Sequence, residues 1–164
     1  MAAGSCHSLA LLADGSATAW GTNAQGQCNV PAPNSNFVAV AAGDDHSLGL
    51  KEDGSIIAWG GNTEGQCDVP APNAGFIAVA AGDDYSLGLK AADGSIVAMG
   101  LIAAVPLPNR EFVAMAAGTA HALGLKDNGS IVAWGGNTEG QCDIPAPNSN
   151  FVAVAAGAAH SLAL

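Results

Sequence analysis

Asp44-Asp45-His46-Ser47 sets two carboxylates, an imidazole and a hydroxyl side by side, the residue types of a hydrolase. Neighbours on an extended strand point to opposite faces, so contiguity separates these groups, whereas a Ser-His-Asp relay needs them converging from different segments. The imidazoles recur instead in one slot of a repeat, as His7, His46, His121 and His160, with Tyr85 in the same slot of the third unit. Two chemistries are compatible with that slot. A ring of imidazoles near a common axis, with Asp44, Asp45, Asp83 and Asp84 as oxygen donors, would hold a metal and support a metal-dependent enzyme at the mouth. The plainer reading, which we adopt, makes each histidine a tie between its own loop and backbone carbonyls, with the acidic pairs as solvated loop charge or the contact for a basic partner. It implies no catalytic residue, no metal and no cofactor. Glycine-rich stretches such as Trp59-Gly60-Gly61-Asn62 lack the Gly-Lys-Ser/Thr ending of a phosphate cradle.

The cysteines fit that reading. Cys28, Cys67 and Cys142 share one slot in three units and Cys6 takes another, with no Cys-x-x-Cys pair. Equivalent positions of stacked units stand about a blade apart, whereas a disulfide needs Cα atoms within roughly 7 Å. Small buried thiols are expected.

These residues are positioned by a repeat that spans nearly the whole chain. Its Ala-Ala-Gly anchor ends at Gly4, Gly43, Gly82, Gly118 and Gly157, giving steps of 39, 39, 36 and 39 residues. A period in the range of roughly 20–50 residues marks a propeller or solenoid, whose units bury their faces against one another. Within a unit, apolar runs flank Asp14-Gly15, Asp53-Gly54, Asp93-Gly94 and Asn128-Gly129, a strong hairpin signal. A third strand type begins at Phe37, Phe76, Phe112 and Phe151. All three types are apolar on both faces, as small sheets stacked between other sheets require. The connector GGNTEGQCDVPAPN is stiffened by prolines, with a short fourth strand expected near Gln66–Val69. Trp20, Trp59 and Trp134 end the second strand type and are expected in the packed seams. The third unit departs from the pattern: Met99 replaces the tryptophan and Gly100–Pro106 replaces the glycine-rich loop. That blade should be the weakest, or the one with a specialised edge.

Composition narrows the partners. Of 164 residues 49% are hydrophobic, enough for a core, and only 11% are charged, against about a quarter in soluble domains. The net charge of −10 sets 14 acids against Lys51, Lys90, Arg110 and Lys126. Four isolated cations build no phosphate-tracking surface, so nucleic acid is not an expected partner. No apolar run is long enough for a membrane-spanning helix, and MAAGSCHSLALLADGS lacks the basic start of a signal peptide.

The string AAGxxHSLxLKxDGSIxAWGxNxxGQ resembles the regulator of chromosome condensation repeat family over essentially the whole chain. His-Ser-Leu, the Asp-Gly turn, Ala-Trp-Gly and Gly-Gln carry the resemblance together. It implies a β-propeller, seven-bladed in the family. The founding member implies a chromatin-bound exchange factor for a small GTPase. The style of the short unit is similar to that of the propeller-type bacterial β-lactamase inhibitory protein, which implies a secreted, non-enzymatic protein binder. Where that inhibitor presents aromatic residues after the anchor, this chain has Ser5-Cys6, Asp44-Asp45, Asp83-Asp84, Thr119-Ala120 and Ala158-Ala159.

The units read as about 2–40, 41–79, 80–115 and 116–154, with a partial unit at 155–164, in a single all-β repeat domain. Propellers usually carry roughly four to eight blades. The tail His160-Ser161-Leu162-Ala163-Leu164 duplicates His7-Ser8-Leu9-Ala10-Leu11, so two strands compete for one place in any closed ring. A piece of a longer array, or a half-propeller that pairs with a second copy as a homodimer, explains that redundancy. A four-bladed monomer and an open stack are the other arrangements. The expected function is a protein-interaction scaffold with an unidentified protein partner; a purely self-assembling ring is the structural alternative. Trp134→Ala is expected to destabilise the chain more than Met99→Ala, and equal losses in denaturant titrations would contradict the proposed role of the tryptophans.

Overall fold

The computed structural model describes residues 1–164 and is built from strands alone, in five small antiparallel sheets. The first holds β1 (Ala2–Ala3), β2 (His7–Leu11) and β3 (Ala17–Gly21); the second holds β4 (Phe37–Ala42), β5 (His46–Lys51) and β6 (Ile56–Gly60). The third comprises β7 (Phe76–Ala81), β8 (Tyr85–Lys90) and β9 (Ile96–Gly100), and the fourth β10 (Phe112–Ala117), β11 (His121–Lys126) and β12 (Ile131–Gly135). The fifth has two strands, β13 (Val154–Ala156) and β14 (Ser161–Ala163). The second, third and fourth sheets each start at a phenylalanine strand whose end is the Ala-Ala of the anchor, so these sheets run out of phase with units that begin at that anchor.

Local chemistry explains the hairpins. Gly15, Gly54, Gly94 and Gly129 take positive φ between β-strands, and the preceding Asp14 and Asp53 accept hydrogen bonds from the backbone N and the hydroxyl of Ser16 and Ser55. The same turns lock the next blade: Phe37 N donates to Gly15 O at 2.8 Å and Phe76 N to Gly54 O at 2.9 Å. Phe37, Phe76 and Phe112 then lie across a glycine of the following strand. A Cβ on Gly49 would stand 2.3 Å from Phe37 Cε1, and one on Gly88 2.6 Å from Phe76 Cε1, so only glycine fits. Leu48, Leu50 and Ile56 of one blade bury Phe76 of the next, which makes the core an inter-blade one.

The connectors are held by side chains. Asn34 grips Ala17 with its carboxamide, accepting from N at 2.7 Å and donating to O at 2.8 Å; Asn73, Asn109 and Asn148 do the same at Ile56, Ile96 and Ile131. The expected fourth strand does not form. Around Gln66–Val69 the backbone bonds are local turns, Asp68 N to Gly65 O and Val69 N to Cys67 O, which leave no ladder. The thiols also differ from expectation. Cys6 is exposed and Cys28, Cys67 and Cys142 are half-buried, because the latter three sit in the connector, bonded to its carbonyls, instead of in the core.

The blades follow one another around one axis, with β2 against β4, β5 against β7 and β10 against β13. The arc is propeller-like, about four blades long, and does not close. Openness corrects one expectation: Trp59 and Trp134 are 7% and 5% exposed, but Trp20 is 50% exposed. Trp59 reaches back to the connector that precedes its blade, its Nε1 donating to Gln27 O at 2.9 Å, and its ring lies 6.3 Å from that of Phe37 in its own sheet. No blade covers Trp20 in that way. Trp59→Ala should therefore cost about 3–5 kcal/mol, and Trp20→Ala well under half of that, read as denaturant midpoints at constant m-value.

Candidate functional site

Blade seams are stitched by a relay that repeats along the arc. His7 Nε2 meets Ser47 Oγ at 2.9 Å, His46 Nε2 meets Ser86 Oγ at 2.9 Å, and His121 Nε2 meets Ser161 Oγ at 3.0 Å, each pair 40 residues apart. Those serines donate onward to the carbonyls of Gln27, Gln66 and Gln141 at 2.7–2.8 Å. A serine hydroxyl has one proton. With that proton on the carbonyl, the imidazole must donate through Nε2–H, which leaves Nδ1 as a bare acceptor. The Nδ1 atoms of His7, His46 and His121 are buried without a partner. These His-Ser pairs resemble a catalytic dyad in distance alone: His46 and Ser86 are fully buried, and no acid orients the imidazole through Nδ1. The histidines thus join neighbouring blades, not their own loops to carbonyls as the sequence suggested.

One seam is built differently. Tyr85 takes the histidine slot and reaches the carbonyls of Gly118, at 2.9 Å, and His121. Ala122 replaces the serine, and the shortened loop after β9 supplies Ile102 and Val105 where other seams have a glutamine. Three departures therefore meet at one place and exchange a polar relay for an apolar core of Tyr85, Leu87, Leu89, Ile96, Phe112, Ala122 and Trp134. The exchange leaves Trp134 Nε1 buried and unpartnered, since the carbonyl that serves Trp59 has no counterpart there. Burial, and then the charge of Asp83, push the Tyr85 phenol well above its usual range.

The inner turns of all five sheets converge on a shallow axial mouth of about 270 Å³, floored by Ala and Gly and flanked by Ser5, Asp83 and Thr119. Asp83 N bonds Thr119 O at 3.2 Å and Thr119 N bonds Ala158 O at 3.3 Å, linking the turns laterally. Of the four acids singled out in the sequence, Asp83 lines the mouth and Asp44 lies close enough to repel it. Burial and the Asp44 charge raise the Asp83 carboxyl above its ordinary value, against a hydrogen bond from the Thr119 side chain. Asp45 is drawn into the seam, accepting from Gln27 Nε2 at 3.0 Å, and Asp84 is exposed. No cluster of three or more His, Cys, Asp or Glu side chains is disposed to hold a metal.

The lysines carry a signal that composition alone conceals. Lys51 Nζ lies 3.5 Å from the centroid of Phe37 and donates to the carbonyls of Pro33 and Ser35. Lys90 repeats this on Phe76, and Lys126 on Phe112. Three of the four cations are thereby committed to connectors, and Arg110 pairs with its neighbour Glu111 at 3.3 Å. Their recurrence after Leu-Gly-Leu, at an interval from the preceding Phe that matches the strand pairing, was the available clue.

Burial brings the His46 pKa down from 6.5 to about 4, helped by the charge of His7, against the Asp83 backbone and the carboxylates of Asp44 and Asp45. Burial lowers His7 and His121 as well. The unfolded chain binds protons near pH 6.5 that the folded chain refuses, so this stability is complete above pH 6.5 and is lost as pH falls towards 4. For His46 it amounts to about 3 kcal/mol. Urea titrations across that window should show stability falling with acid, and His46→Gln should flatten the slope; an unchanged slope would contradict the relay.

The family profile of the regulator of chromosome condensation (RCC1) repeat matches residues 1–27, 37–66 and 112–141, more than half the chain, and passes over the third blade with its altered seam. No curated protein matches in sequence. Among solved structures, the CRINKLY WD40 ectodomain of the Arabidopsis thaliana receptor kinase ACR4 is 30% identical, with a TM-score of 0.72 over 91% of this chain and 53% of that one. The ectodomain of the Physcomitrella patens receptor kinase CR4 is 22% identical, with a TM-score of 0.82 over 96% of this chain and 46% of that one. Prp20p from Saccharomyces cerevisiae, described with its binding properties to Gsp1p and histones, is 22% identical, with a TM-score of 0.81 over 98% of this chain and 54% of that one. The chain spans about half the length of these structures. Repeat, blade architecture and profile agree: the chain belongs to the RCC1 repeat family.

Proposed function

We propose that this chain is a non-enzymatic protein-interaction scaffold whose axial mouth receives a basic segment of a partner protein, and that it self-associates as part of a larger ring. The observation that carries the first part is the pair Asp44 and Asp83, which repel one another beside the mouth with no cation to relieve them. Because the lysines are held by the connectors, the acidic surface is offered with little internal neutralisation, and a cationic ligand gains from both effects. The fold supports the general reading: Prp20p is described with protein partners, and yeast RCC1 (Prp20) in complex with Kap60. The enzymatic alternative at the mouth loses its central group, since His46 is fully buried and engaged by Ser86.

Fluorescence anisotropy with a labelled Lys/Arg-rich peptide, and a Glu-rich peptide as control, tests the acidic mouth. Binding should be selective for the basic peptide and weaken with added salt. Asp44→Asn and Asp83→Asn should each weaken it about two- to fivefold, the worth of an exposed charge contact. Equal affinity for both peptides, or indifference to both substitutions, would overturn this reading.

A further inference from the structure

We infer that Asn128 is a deamidation site: the turn Asn128-Gly129-Ser130 converts its carboxamide to a carboxylate through a cyclic imide, and the closed β11–β12 hairpin holds that conversion in check. Four turns of the arc share one design, and three of them, at Asp14, Asp53 and Asp93, already carry the carboxylate. Asn128 is the exception, and the one asparagine of the chain followed by glycine. Glycine has no Cβ to hinder ring closure at its nitrogen. The surroundings of the side chain favour reaction. Asn128 is exposed, and its Oδ1 accepts from Ser130 N at 2.9 Å and Ser130 Oγ at 2.7 Å. These two donors sit where negative charge develops when a nucleophile adds to Cγ. In the other turns the same donors act in the opposite sense. Hydrogen bonds from Ser16, Ser55 and Ser95, the hydroxyl first and the backbone second, hold Asp14, Asp53 and Asp93 below the usual carboxylate range. An ionised carboxylate resists nucleophilic attack, so those turns are inert and only the fourth is poised to change.

Gly129 N, giving up its proton, bonds to Asn128 Cγ; the bond from Cγ to the carboxamide nitrogen breaks, and ammonia leaves with that proton. Water then opens the imide. Cleavage at Cγ restores the main chain with aspartate at the position, and cleavage at the backbone carbonyl routes the main chain through the side chain as isoaspartate. Nothing is oxidised or reduced, and the chain gains one negative charge. The native hairpin blocks the first step, because Gly129 is buried, its N donating to Lys126 O at 3.0 Å and its carbonyl accepting from Phe151 N at 2.9 Å. Attack on Cγ needs that nitrogen free, so reaction waits on local opening of the hairpin. The two products differ afterwards. Aspartate fits, since Asp14 and Asp53 make the same pair of bonds to Ser16 and Ser55. Isoaspartate lengthens a turn without slack, where even a Cβ on Gly129 would stand 3.0 Å from Asn150 N.

Trypsin releases one peptide from Asp127 to Leu164, since no Lys or Arg follows Lys126. Mass spectrometry of that peptide, from the full chain held in mildly alkaline buffer with and without guanidinium chloride, tests the proposal. In denaturant, the gain of one mass unit should appear at Asn128 ahead of Asn137, Asn148 and Asn150. In buffer alone it should form slower by a factor of about ten or more. After refolding, chains with aspartate should match Asn128→Asp in denaturant midpoint. Chains with isoaspartate, marked by isoaspartyl methyltransferase labelling, should unfold earlier. Denatured chains in which Asn128 reacts no faster than the other three asparagines would overturn the site. Equal rates with and without denaturant would overturn the restraint by the hairpin, and isoaspartate chains as stable as Asn128→Asp would overturn the fit of the turn.

Discussion

The single proton of a buried serine organises this molecule. Ser47, Ser86 and Ser161 each give that proton to a glutamine carbonyl of the preceding blade and so oblige the facing imidazole to donate. A neutral Nε2–H imidazole follows, and with it the resistance of His46 to protonation. Because donor, bridge and acceptor come from successive repeat positions, no blade satisfies its polar groups alone. Hydrogen bonding and apolar burial therefore enforce the same stacking, since the core of each blade closes on the phenylalanine of the next.

The Tyr85 seam shows how such a relay is altered without leaving it half satisfied. Losing the histidine alone would strand a serine, and losing the glutamine loop alone would strand its partner. Changing all three members together converts the seam to an apolar one and leaves Trp134 Nε1 as the residual cost, about 1–3 kcal/mol for a buried unpaired donor. The blade whose sequence looks degenerate is therefore packed against its neighbour by the largest buried apolar cluster in the chain.

Much of this was legible in the sequence. Asp-Gly and Asn-Gly turns, apolar strands and the anchor spacing were sufficient for small three-stranded sheets arranged as blades. What escaped was the face each side chain presents, because a repeat establishes equivalence and not contact. His46 and Ser86 meet only because adjacent blades are set side by side, and nothing local to either residue marks the pairing. The exposure of Trp20 escaped for the same reason: its seam partners belong to a blade that the arc does not place before it. A short strand was expected at Gln66–Val69, whereas turn bonds and the Asn62 side chain occupy the backbone N–H groups of Cys67, Asp68 and Val69. Lysines that looked like free surface charge are buttresses over phenylalanine, so the electronegative surface is more one-sided than the formal charge of −10 conveys.

The most direct test of the seam is the protonation state of its imidazoles, read from ring nitrogen-15 chemical shifts at neutral pH. The account predicts that His7, His46 and His121 are neutral with the proton on Nε2, and that they stay so well below pH 6.5. A proton on Nδ1 of these three rings, or imidazolium signals at neutral pH, would contradict it.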